Sequence, residues 1–535
     1  MLSCCGPRRQ TFIFFTVFTL ALFILFYNHN DFPDRVPQLL GPEPPPKPSE
    51  RLTIQATTLD ELAKVHLLLP AASGRTSLCK TLLTAAVLDY PVPTLISWDQ
   101  TFKDDHLIGG GRHVAKIEKI YEWLQAQPDS RKDDLVIVVD AYGGFNYHTD
   151  RESIDAHLDG DVWFQLPLEV LVQRYHAVND MANRDLKERL GEAYEREGIK
   201  QTILFGATKQ CTPSDAASSA CYPVPESPLP PYLYGEYTDD MNLNHNAHRT
   251  RYLSSAYILG PVRDMRAMFR RASEKAARAA RSPTGPAEAE LGFDAALDLG
   301  SDQAIFSHMF GEQEYQREVL RRGYGEAARG PTVVEGTVID DVLDPGIPHE
   351  EVPQHEKQEG DNPFEFGIGL DYWSDLGMQT ALSEDDARWL TYRDPISPQM
   401  LTRHRQHWNC PPEVEGALPE EVLGSSNLPR AAASDSSAFS PQHGWDEIPL
   451  YTNICLDTIP VIVNHNGNKE QRERDWSEMW PQLHGRQLIE EILDREEGDI
   501  EGEYRGGAYD GLGGQYMKWG QLCPASVERE LYRDT

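Results

Sequence analysis

Basic residues are scarce in this chain, and the shortage excludes several functions at once. Its 535 residues hold 50 Lys+Arg against 84 Asp+Glu, a formal net charge of −34. A duplex nucleic-acid binder that works by phosphate neutralisation needs the opposite balance, so no nucleic-acid partner is expected. There is no N-x-S/T sequon, hence no expected N-linked glycan. GxSxG and HExxH are missing, which leaves hydrolase and zinc-protease readings unsupported. The stretch from Gly74 to Lys80, GRTSLCK, lacks the second glycine of a P-loop. No self-similarity at solenoid or propeller periods is found. A disordered composition is absent too, because 40% of the residues are hydrophobic and ten are Trp.

Residues 11–27, TFIFFTVFTLALFILFY, carry no charge, Pro or Gly. As a helix they would span roughly 26 Å, enough for a thin bilayer. Arg8 and Arg9 precede the run, while Asp31 and Asp34 follow it. The positive-inside rule then puts residues 1–10 in the cytosol and the rest of the chain in a lumen. No small-residue cleavage site follows, so residues 11–27 read as an uncleaved signal anchor. Residues 28–60 are polar and Pro-rich, including the run from Gly41 to Pro48, and read as a semi-rigid stem. The luminal domain is expected over residues 61–535. Its six cysteines allow three disulfides in fifteen pairings, Cys211 with Cys221 being the easiest local pair. None stands in CxxC spacing, which argues against a zinc-thiolate site.

Within that domain, Val65–Pro70, Pro93–Ser97, Asp134–Asp140, Thr202–Phe205, Tyr257–Leu259 and Thr458–Val463 read as strands. Thr76–Leu88 reads as a helix, and Val114, Ile117, Tyr121 and Leu124 share one face of another. Alternation of strand and helix predicts an α/β sheet with parallel strands. Residues 326–361 and 411–445 are too rich in Pro, Ser and acid to build a core and are expected to loop out. Arg263–Arg281 carries seven basic residues and reads as a helix with a solvated face.

Asp140 ends the clearest strand, DLVIVVD, where ligand-binding side chains of open α/β sheets project. A carboxylate there could hold a hard divalent cation against a diphosphate. Gly109, Gly110 and Gly111 precede a helix start, where backbone N–H groups can approach a phosphate. His465, in the turn after PVIVN, is a candidate metal ligand or base.

In order, these segments resemble the glycosyltransferase domain of the procollagen lysine hydroxylase family, from about Val65 to Lys469. GGGRHV at 109–114 resembles that family's GGGQKV. LVIVVDAY at 135–142 resembles the strand and first half of its DxYD metal motif. ILFGATKQC at 203–211 resembles its strand ending in Ala-Glu, with a nearby Cys. RYLSSAYILG at 251–260 is similar to RFLNSGGFIG, Ser301-Asp302-Gln303 to DDQ, and DTIPVIVNHNG at 457–467 to DTLPIVVHGNG. The resemblance implies an α/β, GT-A-type, nucleotide-sugar-binding (Rossmann-like) domain behind the N-terminal transmembrane helix. It implies UDP-sugar as donor, Mn²⁺ as metal and a protein or glycan hydroxyl as acceptor. The resemblance puts Asp140 in the first metal position; Asp161, which looks like the continuation of the broken motif, and His465, chosen because a neutral imidazole is a good transition-metal ligand, are the other expected ligands. Gly110, Gly111, His113, Tyr142 and Lys469 contact the donor, and Asp302 orients or deprotonates the acceptor hydroxyl.

Three departures stand out. Gly143 follows Tyr142 where the second metal Asp is due, and Asp161 comes eighteen residues later. Excision of 143–160 restores DAYD. The segment is either a loop inserted at the site or a retained intron that keeps the frame; the second is preferred, because an insertion between two ligands disturbs their positioning. Gapless matching also puts Asn464, not His465, at the metal His, and Ser254 replaces an Asn. No hydroxylase domain is expected in the roughly 70 residues after Gly467, where no HxD iron motif is evident. The expected protein is therefore a single-pass type II hexosyltransferase of a Golgi or ER membrane. The alternative is an inactive luminal binding protein that keeps the fold.

Overall fold

The apolar runs become strands buried on both faces. A computed structural model describes residues 51–71, 73–104, 106–140, 161–211, 218–240, 245–280, 300–323, 364–396, 410, 414, 416–425, 444–498, 505–511 and 514–532. The expected span 11–27, the stem up to residue 50, Tyr142 and the segments 143–160 and 326–361 lie outside these residues. Among the described residues no helix is long and apolar enough to cross a membrane.

The centre is an eight-stranded mixed sheet. Its strands are β1 (Val65–Pro70), β2 (Thr94–Ile96), β3 (Leu135–Val139), β5 (Ile203–Thr208), β6 (Tyr252–Pro261), β7 (Ile368–Asp371), β12 (Ala508–Asp510) and β13 (Gln515–Met517). They lie in the order β13-β12-β2-β1-β3-β6-β5-β7. β12, β2, β1 and β3 pair in parallel, as do β5 and β7. β6 runs antiparallel to both β3 and β5. The expected parallel strands make up most of the sheet; the exceptions are the interior strand β6 and the edge hairpin of β12 with β13.

Side chains alternate across the sheet, as strand pleating requires. Leu67, Leu69, Ile137 and Val139 enter one core with α1 (Thr76–Val87) and α3 (Leu168–Leu190). Leu68, Val136 and Val138 enter the other, with α2 (Arg112–Ala126), α4 (Val262–Ala279) and α5 (Asp302–Gly323). Helices on both faces explain why the central strands read as unbroken apolar runs. The basic face of α4 is only partly solvated: Arg271 and Lys275 are buried, and Lys275 donates to Glu312 at 2.7 Å.

A smaller sheet, β4 (Asp161–Phe164), β11 (Ile462–His465) and β8 (Gly377–Gln379), lies against α1. Thr81 and Thr84 of α1 bond to the backbone of Val162 and Phe164. The Thr458–Val463 strand therefore begins later than its apolar pattern suggests; Thr458 only bridges to Asn453. β9 (Ala387–Leu390) and β10 (Leu450–Asn453) form a two-stranded ribbon. α6 (Lys469–Glu478) and α7 (Trp480–Gly498) follow β11. Part of 411–445 does not loop out. Leu418, Val422 and Trp445 are buried, and Glu421 accepts from Arg174 at 2.8 Å, because these apolar side chains complete the core beside α3. Three disulfides are formed: Cys79–Cys523, Cys211–Cys221 and Cys410–Cys455.

Candidate active site

β1 connects to β2 on one side of the sheet, and β3 lies on its other side. This reversal makes a switch point at the carboxyl ends of β1 and β3, the usual ligand crevice of open α/β sheets. Asp140 is the first residue beyond β3, and its backbone N–H donates to the Ala256 carbonyl at 2.9 Å. Because β6 is antiparallel, its beginning lies at the same end of the sheet.

α2 supplies the neighbouring cations. Gly110 and Gly111 form the tight turn before it, at φ +67° and +90°. A Cβ at Gly110 would stand 2.7 Å from the Phe102 carbonyl oxygen, so glycine there is a backbone requirement. One turn into the helix, His113 and Lys116 share a face. The Lys116 ammonium donates to Asp140 Oδ2 at 2.9 Å and to Asp302 Oδ2 at 2.6 Å. His113 Nδ1 lies 2.6 Å from Asp302 Oδ1. Asp302 opens α5, where the helix N-terminus favours negative charge. Beside it, Ser255 donates from its backbone and hydroxyl to Gln303 Oε1, at 2.9 and 3.1 Å.

Three residues chosen from three separate motifs (His113, Asp140 and Asp302) thus meet through Lys116. Burial alone would raise the Asp302 carboxyl, but Lys116 and His113 outweigh it and hold the carboxyl well below its ordinary range. Burial likewise opposes the Lys116 charge; Asp140 and Asp302 overcome it and push the lysine above its usual range. Lys116 is absent from the motif reading. One signal was available: it interrupts an otherwise buried helical stripe of His113, Ile120 and Trp123.

Asp161 and His465 form a second group. They are direct register partners across β4 and β11, so both project to one face, and His465 rather than Asn464 faces Asp161. No bulge is required for this. Lys80 donates to Asp161 Oδ2 at 2.7 Å, and Arg472 Nε lies 3.9 Å from the same oxygen. The His465 ring lies on Trp163 with centroids 3.8 Å apart, and its Nε2 is buried without a hydrogen bond. Burial, then Lys80 and Arg472, push its pKa well below the ordinary value, which keeps the imidazole neutral. Lys469 is exposed at the start of α6.

The resemblance implies Mn²⁺, and the donor set tests the fit. Asp140 faces an ammonium, Asp161 faces another, and His465 sits near two cations. Among the described residues no group of three His, Cys, Asp or Glu side chains converges to hold a metal. These side chains do not fit a divalent cation as arranged.

No protein-family model matches the chain, and no curated protein matches it either.

Proposed function

We propose that the chain is a glycosyltransferase, anchored through residues 11–27 as a type II protein of a Golgi or ER membrane. It transfers a hexose from a UDP-sugar to a protein or glycan hydroxyl. The observation that carries this reading is the meeting of His113, Asp140 and Asp302 at the switch point of a mostly parallel, Rossmann-like sheet. Each residue was singled out from a different motif, and the closest pair in sequence, His113 and Asp140, stands 27 residues apart.

In this reading the Gly110–Gly111 turn and the start of α2 receive the donor diphosphate, because unpaired N–H groups and the helix dipole favour anions there. Lys116 adds a fixed positive charge. Asp302 is too well stabilised as a carboxylate to be a strong proton acceptor, so its part is to orient His113 and Lys116. No step is routed through Mn²⁺, which the residues do not fit.

UDP release from a panel of UDP-hexoses, measured with the full-length chain, tests the reading. We expect turnover that falls by roughly 100-fold or more in Asp302→Asn, as loss of a fixed electrostatic group does. Absence of turnover with every donor, together with absence of UDP binding, would sink it. The second reading, an inactive luminal binding protein, is favoured by the cation pairing of Asp140 and Asp161.

A further inference from the structure

The three residues expected to hold a metal already have cationic neighbours, and one of those cations stands in the candidate site. Lys116 comes from the second turn of α2, and its side chain is only 2% exposed. Its ammonium bridges Asp140 and Asp302. An ammonium has three N–H donors, and these two contacts use two of them. Asp140 is the accessible side of the bridge, with 15% of its side chain exposed against 3% for Asp302.

A divalent cation at Asp140 would have to displace a charge that two carboxylates hold. It would also strand Lys116, whose side chain is buried. An unpaired buried charge is strongly disfavoured. Lys116 already places a positive charge between Asp140 and Asp302. Asp161 offers no replacement, because Lys80 occupies it at 2.7 Å.

We infer that the donor site works without a divalent cation, and that the Lys116 ammonium supplies the positive charge that meets the diphosphate of a nucleotide-sugar. This rests on the proposed glycosyltransferase function and narrows it to metal-independent donor binding. Asp140 and Asp302 fix the ammonium in place, and its remaining N–H points the charge at phosphate oxygen through a charge-assisted hydrogen bond.

The test is calorimetric titration of UDP into the full-length chain in detergent micelles, with a chelator in one arm and Mn²⁺ in the other. The inference expects the same affinity in both arms. It further expects Lys116→Gln to weaken binding by roughly tenfold or more, while Lys116→Arg keeps most of it. Binding that requires Mn²⁺ would overturn the inference and leave the glycosyltransferase reading standing. No binding in either arm would overturn both. Equal binding by wild type and Lys116→Gln in chelator would remove Lys116 from the donor site. The wild-type arms decide the metal question even if a variant fails to fold.

Discussion

At the scale of single residues, two buried carboxyls behave in opposite ways. Asp302 is buried against the Lys116 ammonium and the His113 ring and stays ionised. Asp475 is held differently: Trp389 donates to one oxygen at 3.0 Å, and the other lies 3.6 Å from His465 Nδ1. Burial therefore pushes the Asp475 carboxyl from its ordinary 3.8 up to about 6. A carboxyl whose pKa is raised by folding binds its proton more tightly in the fold than in the unfolded chain. Its contribution is thus most favourable below the unfolded value and is lost as pH rises through about 6. We expect Asp475→Asn to keep the Trp389 bond and to remove this loss. Relative to wild type, it should gain on the order of 2 kcal/mol in unfolding free energy between about pH 4 and about pH 7. Denaturant unfolding at both pH values checks this; parallel curves for the two proteins would refute it.

At the scale of elements, the turn into α2 carries the argument. Gly110 lies at positive φ, and any Cβ there meets the Phe102 carbonyl. Gly110→Ala is expected to cost about 1–2 kcal/mol or more, since both left-handed backbone and a close contact are penalised. If α2 presents its start to a diphosphate, UDP affinity should fall more steeply than stability does. Melting and UDP titration on the same variant separate the two effects. Much of this element was legible in advance: GGGRHV announced a helix start, and Val114, Ile117 and Leu124 are buried as their spacing requires. The direction of β6 was not legible. An apolar run buried on both faces says nothing about which way the strand runs, and only that reversal brings Ser255 beside Asp302 and Gln303.

At the scale of the whole molecule, the end of the chain closes back on its beginning. β12 pairs in parallel with β2, and Cys523 joins Cys79 across 444 residues. A bridge over so long a loop restricts the unfolded chain strongly. We expect replacement of both cysteines by Ser to lower stability by about 2–5 kcal/mol. Thermal melts of the double variant, compared with a Cys211→Ser/Cys221→Ser control that opens a ten-residue separation, measure it. The larger fall should belong to the Cys79–Cys523 pair; an equal or smaller fall would refute the loop-length argument.

The sequence by itself determined the acidic character, the strands with continuous apolar runs, the glycine turn and the individual candidates His113, Asp140 and Asp302. These depend on local composition, periodicity and motif order. Only the tertiary structure decided that Lys116 joins Asp140 to Asp302, and that Lys80 claims Asp161. It also decided that His465 faces Asp161 rather than Asn464 doing so, and which of fifteen cysteine pairings forms. Lys116 stands 186 residues from Asp302, and Lys80 stands 81 from Asp161. Charge pairing across such distances follows from how strands are ordered and which way each one runs, and no local pattern encodes that.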